Sequence, residues 1–585
     1  MVGLKQRSDT PSSKISFVFV VLLALAKEAY AKNETQVLSS LPSLDLLRKE
    51  IKSDITRRGN LDVLSDKDLA ICHLPYIMPF TNNEGALFTG INSHEGAFAV
   101  ALAAQHLNTG DGTIVSRVTN LNQTCPIRFT METKDTKLQE SVGVEHIIDL
   151  TDRNADLGER LPCAILGAAR SAVSIPTSII SGLREYPQIS PISTSSALDD
   201  SAQYPLFGRT IPSDDGTAVP LILYLHNVLD VHHLAVLHVD DSYGNAYASG
   251  IRAAAQEHAP NMEIRSFDVS VQVNEEGIRN VVQLLKETQY TYFMCVLSST
   301  TQVDNALVEA HSQGIAGTGN HTWIFSDSAG DIPGRPYQRG SPLAQAYEGT
   351  GMLLAVGGLA GTGGKYDELR EAMSELNNDD DINYMKSILP IAGDHDAVLL
   401  ANGFLSEPGL MSAFLYDATI ALGLAACDTV AERNNRMRIN GKEHFQRFAQ
   451  DEFEGASGTV RFFNESGTRN PQSAVFVLRN FVEDNETSSD DMIQLKAVDS
   501  NAYLMNAWEE LTPFVYSSGS TVIPPDLPNP MRNPNYLKPG LRALGLILAI
   551  IVIGLSVGFS VWSHIYRTTK VVRASQPIFC LIICL

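Results

Sequence analysis

Two short stretches carry side chains suited to holding an anion. Gly167-Ala168-Ala169-Arg170-Ser171 follows an apolar run and precedes a helical one. Small residues there let a ligand approach the free N–H groups of a helix start, where the dipole favours negative charge. Ser190 to Ser196, read Ser-Pro-Ile-Ser-Thr-Ser-Ser, is dense in hydroxyls and follows Pro187-Gln188-Ile189. In open parallel sheets ligands sit beyond the carboxyl ends of the strands, and both stretches fall there. Either stretch alone also fits an ordinary solvated loop. Gly361-Thr362-Gly363-Gly364-Lys365 fails the phosphate-loop pattern, which needs Gly where Leu359 stands and Ser or Thr where Tyr366 stands. His232, His233 and His238 start and line a strand, so packing accounts for them without a metal. No Ser-His-Asp or Cys-His set stands out, and neither an enzyme nor a cofactor is expected.

The elements that position these stretches alternate in type. Ile127–Met131, Ala164–Gly167, Leu234–Val239, Tyr292–Leu297 and Trp323–Phe325 are short apolar runs suited to buried parallel strands. Between them lie helical stretches: Gly96–Leu107, preceded by Asn92-Ser93-His94-Glu95 with capping-box spacing, then Ser171–Leu183, Gly244–His258 and Gln302–Ser312, closed by Gly314. This β-α-β-α rhythm predicts an α/β fold of doubly wound parallel sheets. Thr459–Phe463 and Ala474–Leu478, joined by 464–473, predict a β-hairpin. Six prolines between Ile523 and Gly540 predict a semi-rigid linker.

Composition and the two ends set the compartment. Lys and Arg number 44 against 66 Asp and Glu, a net charge of −22, and no basic stripe suggests a nucleic-acid partner. With 44% apolar and 19% charged residues the chain is too apolar for disorder, and seven Cys in 585 residues exclude a disulfide-dense scaffold. Lys5, Arg7 and Lys14, the apolar run Ile15–Ala26 and Ala29-Tyr30-Ala31 form a signal peptide over 1–31. Ala543–Trp562 is uncharged and, at about 30 Å of helix, matches one bilayer. Arg567, Lys570 and Arg573 follow it and Lys538 and Arg542 precede it, so the charge bias is slight, and the signal peptide places residues 32–540 outside and 564–576 inside. A second apolar run, within 577–585, is either the start of a further span or an interfacial segment. Five sequons, at Asn33, Asn122, Asn320, Asn464 and Asn485, are glycosylation candidates, though about four would arise by chance.

Several longer segments carry a family resemblance: "CAILGAARSAVSIPTSIISGLREYPQISPISTSSALDDSAQYPLFGRTIPSDD" (163–215), "LAVLHVDDSYGNAYASGI" (234–251), "GNHTWIFSDSAGD" (319–331), "LYDATIALGLAACD" (415–428) and "FEGASGTVRFFNESGTRNP" (453–471). Together they resemble the ligand-binding region of the atrial-natriuretic-factor-receptor and periplasmic-binding-protein type I superfamily. "LGLILAIIVIGLSVGFSVWSHIYRTTKVVRASQPIFCLIICL" (544–585) resembles the first spans of class C G-protein-coupled receptors, most like the GABA type B branch, and no Cys-rich domain precedes it. The resemblance implies an N-terminal segment at 32–60, a bilobed flytrap over 61–515 with lobe two mainly 213–345, a linker at 516–540 and a membrane helix at 543–563. It implies an extracellular N-terminal domain on a plasma-membrane receptor, lobe-one dimers with a like or different chain, and a heterotrimeric G protein once seven helices are present. The alternative is a single-span receptor, cyclase-linked or a decoy. The implied ligand is an amino acid, a γ-aminobutyrate-like molecule or a small carboxylate. Its acid falls to Ser171, Thr194 and Ser195 and its amine to Asp327 and Tyr243, while Ala172 stands where the family often has a second serine. In the implied fold Cys72 lies between Cys125 and Cys163 and bridges either, whereas Cys295 and Cys427 are expected to be small buried apolar residues.

Overall fold

The computed structural model describes residues 70–570, apart from 83–84, 89–92, 155–158, 273, 328–331, 360–364, 377–378, 391–408, 434–435, 505 and 528–538. The signal segment, Asn33, Asn92, the loop 361–364 and residues 571–585 therefore lie outside the described residues.

Five strands build the first sheet: β1 (Ala70–Met78), β2 (Ile127–Asp135), β3 (Ile165–Gly167), β4 (Gln188–Ser190) and β5 (Phe207–Arg209). They run in the order β2-β1-β3-β4-β5 with every pair parallel. Apart from Ile71, β1 is buried throughout, as an interior strand covered on both faces must be, whereas the edge strand β2 alternates. Helices α1 (Ser93–Thr109), α2 (Glu140–Thr151) and α3 (Ser171–Leu183) provide the crossovers.

The second sheet starts with β6 (His233–Val239), β7 (Glu263–Val269), β8 (Tyr292–Val296), β9 (Thr322–Phe325), β10 (Pro336–Gln338) and β11 (Gly351–Val356). Its helices are α4 (Asp214–Leu223), α5 (Ser242–His258), α6 (Glu275–Glu287) and α7 (Thr300–Ser312). The chain then returns to the first lobe, where α8 (Leu410–Thr429) packs into the core around β1 and α1. It crosses back to add β12 (Val475–Glu483), β13 (Met492–Leu504) and β14 (Ala507–Glu510). The order is β10-β13-β12-β11-β9-β8-β6-β7, parallel from β7 to β11 and antiparallel where β12 and β13 join. Lobe two thus draws on 351–356 and 475–510 as well as on the stretch 213–345.

These crossings overturn the expected hairpin. Gly458–Arg461 pairs with Glu452–Gly455, while β12 pairs with β11 and β13 in the other lobe. The intervening segment is a hinge strand: Arg209 N donates to Gly467 O and Arg469 N to Arg209 O, both at 3.0 Å, which zips one crossing to another. Two fully buried arginines hold this hinge. Arg469 donates to Thr210 O, Ser457 O, Thr459 O and Ser473 O. Asp417, buried in α8, fixes the same turn by accepting from Ala456 N at 2.7 Å and Ser457 N at 2.8 Å.

The cysteines need one correction. Cys72 bridges Cys163, one of its two expected partners, but Cys427 is not a lone apolar residue, because it is disulfide-bonded to Cys125. Helix α8 returns to lobe one after the excursion through lobe two and packs beside α1 and β2, so a partner 302 residues away arrives at Cys125. Cys295 is free and buried, and burial pushes its thiol pKa up. Helix α9 (Pro539–Ile565) is long and apolar enough to cross a bilayer; α8, shorter and less apolar, is also long and apolar enough but is largely buried in lobe one. Asn320, Asn464 and Asn485 are exposed and Asn122 is half-buried.

Candidate ligand-binding cleft

The carboxyl ends of the two sheets supply the cleft. On the lobe-one side β3 feeds α3 through residues 168–170, and β4 feeds the hydroxyl-rich loop 191–195. The two are joined directly, since Ser195 N donates to Ser171 Oγ at 3.1 Å. Beneath them Ser174 and Ser193 hydroxyls meet at 2.7 Å, and Ser190 Oγ donates to Ala168 O at 2.7 Å. The inner face of α3 is therefore polar where a core helix is usually apolar, and its hydroxyls lock both loops in place. Arg209, at the end of β5, completes the frame by donating to Ser193 O and Ser195 O, both at 2.9 Å, and to Asp199.

On the lobe-two side Asp241 caps α5, accepting from Tyr243 N and Gly244 N at 2.9 Å. That cap sets the first turn of the helix, and Tyr243 OH then donates to Asp327 Oδ1 at 2.9 Å. Tyr243 follows β6 and Asp327 follows β9, so the ends of two strands separated by β8 deliver the pair. Burial pushes the Tyr243 hydroxyl well above its ordinary range, and the Asp327 and Asp214 carboxylates push it the same way. Across the lobes Ser195 Oγ donates to Ser242 O at 2.8 Å, and Arg170 reaches Asp241 at 3.8 Å. The structure thus brings Ser171 and Ser195 together on one side and Tyr243 and Asp327 on the other. Thr194 is anchored between them, its carbonyl accepting from Asp214 N at 2.7 Å.

Two residues escaped the sequence reading. Asp214 is 1% exposed, and neither carboxylate oxygen makes a hydrogen bond among the described residues. Burial raises its pKa well above the carboxylate range; Asp327 raises it further, while Thr194 and Arg209, close by without good hydrogen-bond geometry to it, pull it back. As the first residue of α4 it looks in the sequence like an ordinary helix-start acid. Tyr247 lies one turn beyond Tyr243, the rings edge-on at 6.1 Å, and its buried hydroxyl has no partner among the described residues. Its spacing of four from Tyr243 was the available signal. Two acids and two phenols therefore converge opposite a hydroxyl-lined helix start. Such a site offers an anion its donors on one side and a cation its acceptors on the other.

The remaining histidines and the glycine loop have other duties. His233 contacts Asp526, His238 Nδ1 lies 3.2 Å from Val239 O, and Lys365 Nζ pairs with Glu368 at 2.6 Å.

Residues 99–479 match the family described as "Receptor family ligand binding region", well over half of the chain. Metabotropic glutamate receptor-like protein E of Dictyostelium discoideum is 21% identical over 470 residues, covering 77% of this chain and 50% of that protein. Metabotropic glutamate receptor 4 of Mus musculus is 27% identical over 169 residues (28% of this chain, 18% of that protein). Metabotropic glutamate receptor 6 of Oryctolagus cuniculus is 25% identical over 167 residues (28% and 19%). The chain spans between 18% and 50% of the length of these relatives.

Proposed function

This chain belongs to the family of receptor ligand-binding regions, and from that premise we propose that it is a class C cell-surface receptor whose two lobes close on a small amino-acid-like molecule. The acid of the ligand meets the N–H groups at the start of α3 together with the hydroxyls of Ser171, Thr194 and Ser195. Its ammonium faces Asp327 and Asp214, with the rings of Tyr243 and Tyr247 alongside. The observation that carries this reading is Asp214, a buried carboxylate with no hydrogen-bond partner among the described residues, set beside the Tyr243–Asp327 pair. An uncompensated buried acid costs stability, and a ligand cation offsets that cost.

Lobe closure would pass through the 516–540 linker to a seven-helix domain that activates a G protein at the plasma membrane. The GABA type B-like branch is favoured by the membrane-end motif and by the direct linker without a Cys-rich domain. Dimerisation falls to lobe one, where α3 exposes Ile179 and Leu183. Calorimetry of the purified 32–530 segment against amino acids, γ-aminobutyrate and small carboxylates tests the site. Binding that requires both a carboxylate and an amine supports it. A ligand indifferent to Ser171→Ala, Ser195→Ala and Asp327→Ala would place recognition elsewhere.

A further inference from the structure

The hinge crossing carries an exposed turn. Phe462 pairs with Arg469, Phe463 N donates to Thr468 O and Gly467 N donates to Phe463 O, both at 2.8 Å, so 464–467 form a four-residue hairpin loop. Gly467 closes it at φ +64°, where a Cβ would fall 2.8 Å from the Phe445 ring. The other three loop residues, Asn464, Glu465 and Ser466, are one of the sequons. Asn464 is exposed, and Phe463 just before it is 46% exposed.

A single exposed ring is ordinary on its own. Among the described residues outside α9, however, no other phenylalanine is as exposed, and this one directly precedes a sequon asparagine. The other sequons among the described residues have no such neighbour: Leu121, Gly319 and Asp484 precede Asn122, Asn320 and Asn485. The Asn122 amide is also packed away, since a Cβ on Gly110 would fall 2.4 Å from its Oδ1. The chemistry of a sugar suits the ring at 463. A pyranose presents one face of C–H bonds, and the face of a phenyl ring is the negative side of its quadrupole, so the two attract and shed water together. A sugar on Asn464 Nδ2 begins one residue from that ring, on a loop whose backbone is already fixed, so little freedom is lost in ordering it.

We propose that Asn464 carries an N-linked glycan whose first N-acetylglucosamine packs on Phe463, making the sugar a structural part of the hinge turn. The transfer joins Asn464 Nδ2 to the anomeric carbon and breaks that carbon's bond to the phosphate of a lipid-pyrophosphate oligosaccharide. Nδ2 gives up one proton, the lipid pyrophosphate leaves, and nothing is oxidised or reduced. The loop adjoins the bridge between Arg209 and Thr468, so a stiffer loop steadies a crossing on which both lobes turn. Such a glycan requires this domain to lie outside the cell, as the receptor reading has it, and requires nothing of the ligand site.

The full chain is expressed in a eukaryotic secretory host and its glycopeptides are mapped by mass spectrometry. Asn464 should be occupied in nearly every molecule. The folded protein is then treated with an endoglycosidase that leaves one N-acetylglucosamine, or with a peptide-N-glycosidase that removes the sugar entirely. Hydrogen exchange in a peptide covering 460–470 should be unchanged by trimming and rise roughly 2- to 10-fold on full removal. In Phe463→Ser, or in Phe463→Leu if the serine variant is not secreted, removal should raise exchange less than in the parent. The aspartate left by removal is common to parent and variant, so the comparison isolates the sugar–ring contact. An unmodified Asn464 overturns the proposal, as does equal exchange after trimming and removal, or a rise that the Phe463 variants leave intact. Occupancy at Asn320 or Asn485 without Asn464 would leave the receptor reading standing, whereas no occupancy anywhere would count against both.

Discussion

On the lobe-one side of the cleft, Ser171, Ser174, Ser190, Ser193 and Ser195 are already engaged with one another or with backbone, and Arg209 holds their carbonyls from below. On the opposite side Asp214 has both oxygens buried without a hydrogen-bond partner among the described residues, and Tyr247 carries a buried unpartnered hydroxyl. One side is a finished frame, stable without a ligand; the other is held under electrostatic penalty until something positive arrives. Specificity for an amine therefore resides where the protein is least satisfied, and geometry for the acid resides where it is most satisfied.

The sharpest way to break this contrast is to remove the frame. Arg209→Ala should destabilise the ectodomain by about 3–5 kcal/mol, because Asp199 and two loop carbonyls lose a buried cationic partner; urea unfolding measures it. A loss under about 1 kcal/mol would show that the loops stand without Arg209. Next in size, Asp327→Ala should weaken an amine-bearing ligand by roughly 10- to 150-fold and leave a simple carboxylate almost unchanged, as read by calorimetry.

A smaller effect sharpens the comparison from the unsatisfied side. Asp214→Asn should stabilise the ligand-free protein by about 1–2 kcal/mol while weakening amine binding. The gain has a defined pH dependence. The folded pKa of Asp214 is raised chiefly by burial, so the native state pays no charge penalty below the unfolded carboxylate range and pays progressively more as pH rises through the folded value. The melting difference between Asp214→Asn and wild type should therefore be near zero around pH 4 and grow toward neutrality. A difference flat in pH would mean that the folded pKa of Asp214 is not raised above its unfolded value. Smallest of all, Ser195→Ala removes the hydroxyl that bridges to Ser242 O and should shift the closed-to-open ratio by roughly 2- to 10-fold, seen as a change in interlobe dye distance.

The parallel strands and their helices were legible because short apolar runs ending in small or polar turns leave a local signature. Ser171–Leu183 was expected over the span it occupies, and Tyr292–Leu297 and Trp323–Phe325 fell within a residue of β8 and β9. What stayed hidden was non-local. Nothing near 475–483 says that it pairs with 351–356 rather than with the strand just before it, and nothing near Cys427 points to Cys125. Asp214 shows the same limit at the level of a single side chain. A helix-start acid and a buried, unpartnered one have the same sequence context, and only the packing of residues distant in sequence, Thr194 and Arg209 on one side and Asp327 on the other, separates them.

The Cys125–Cys427 bond also decides how the molecule comes apart. It closes a covalent ring that contains α4 to α7 and β2 to β11, so the first pass of the chain through lobe two is an insertion fastened at both ends to lobe one. A protease cut anywhere between 126 and 426 opens the ring without freeing a piece. Such a nicked ectodomain should migrate as one species on a non-reducing gel and fall into fragments only when thiol is added. Damage to the second lobe would then be invisible to any assay that reports only the size of the unreduced chain.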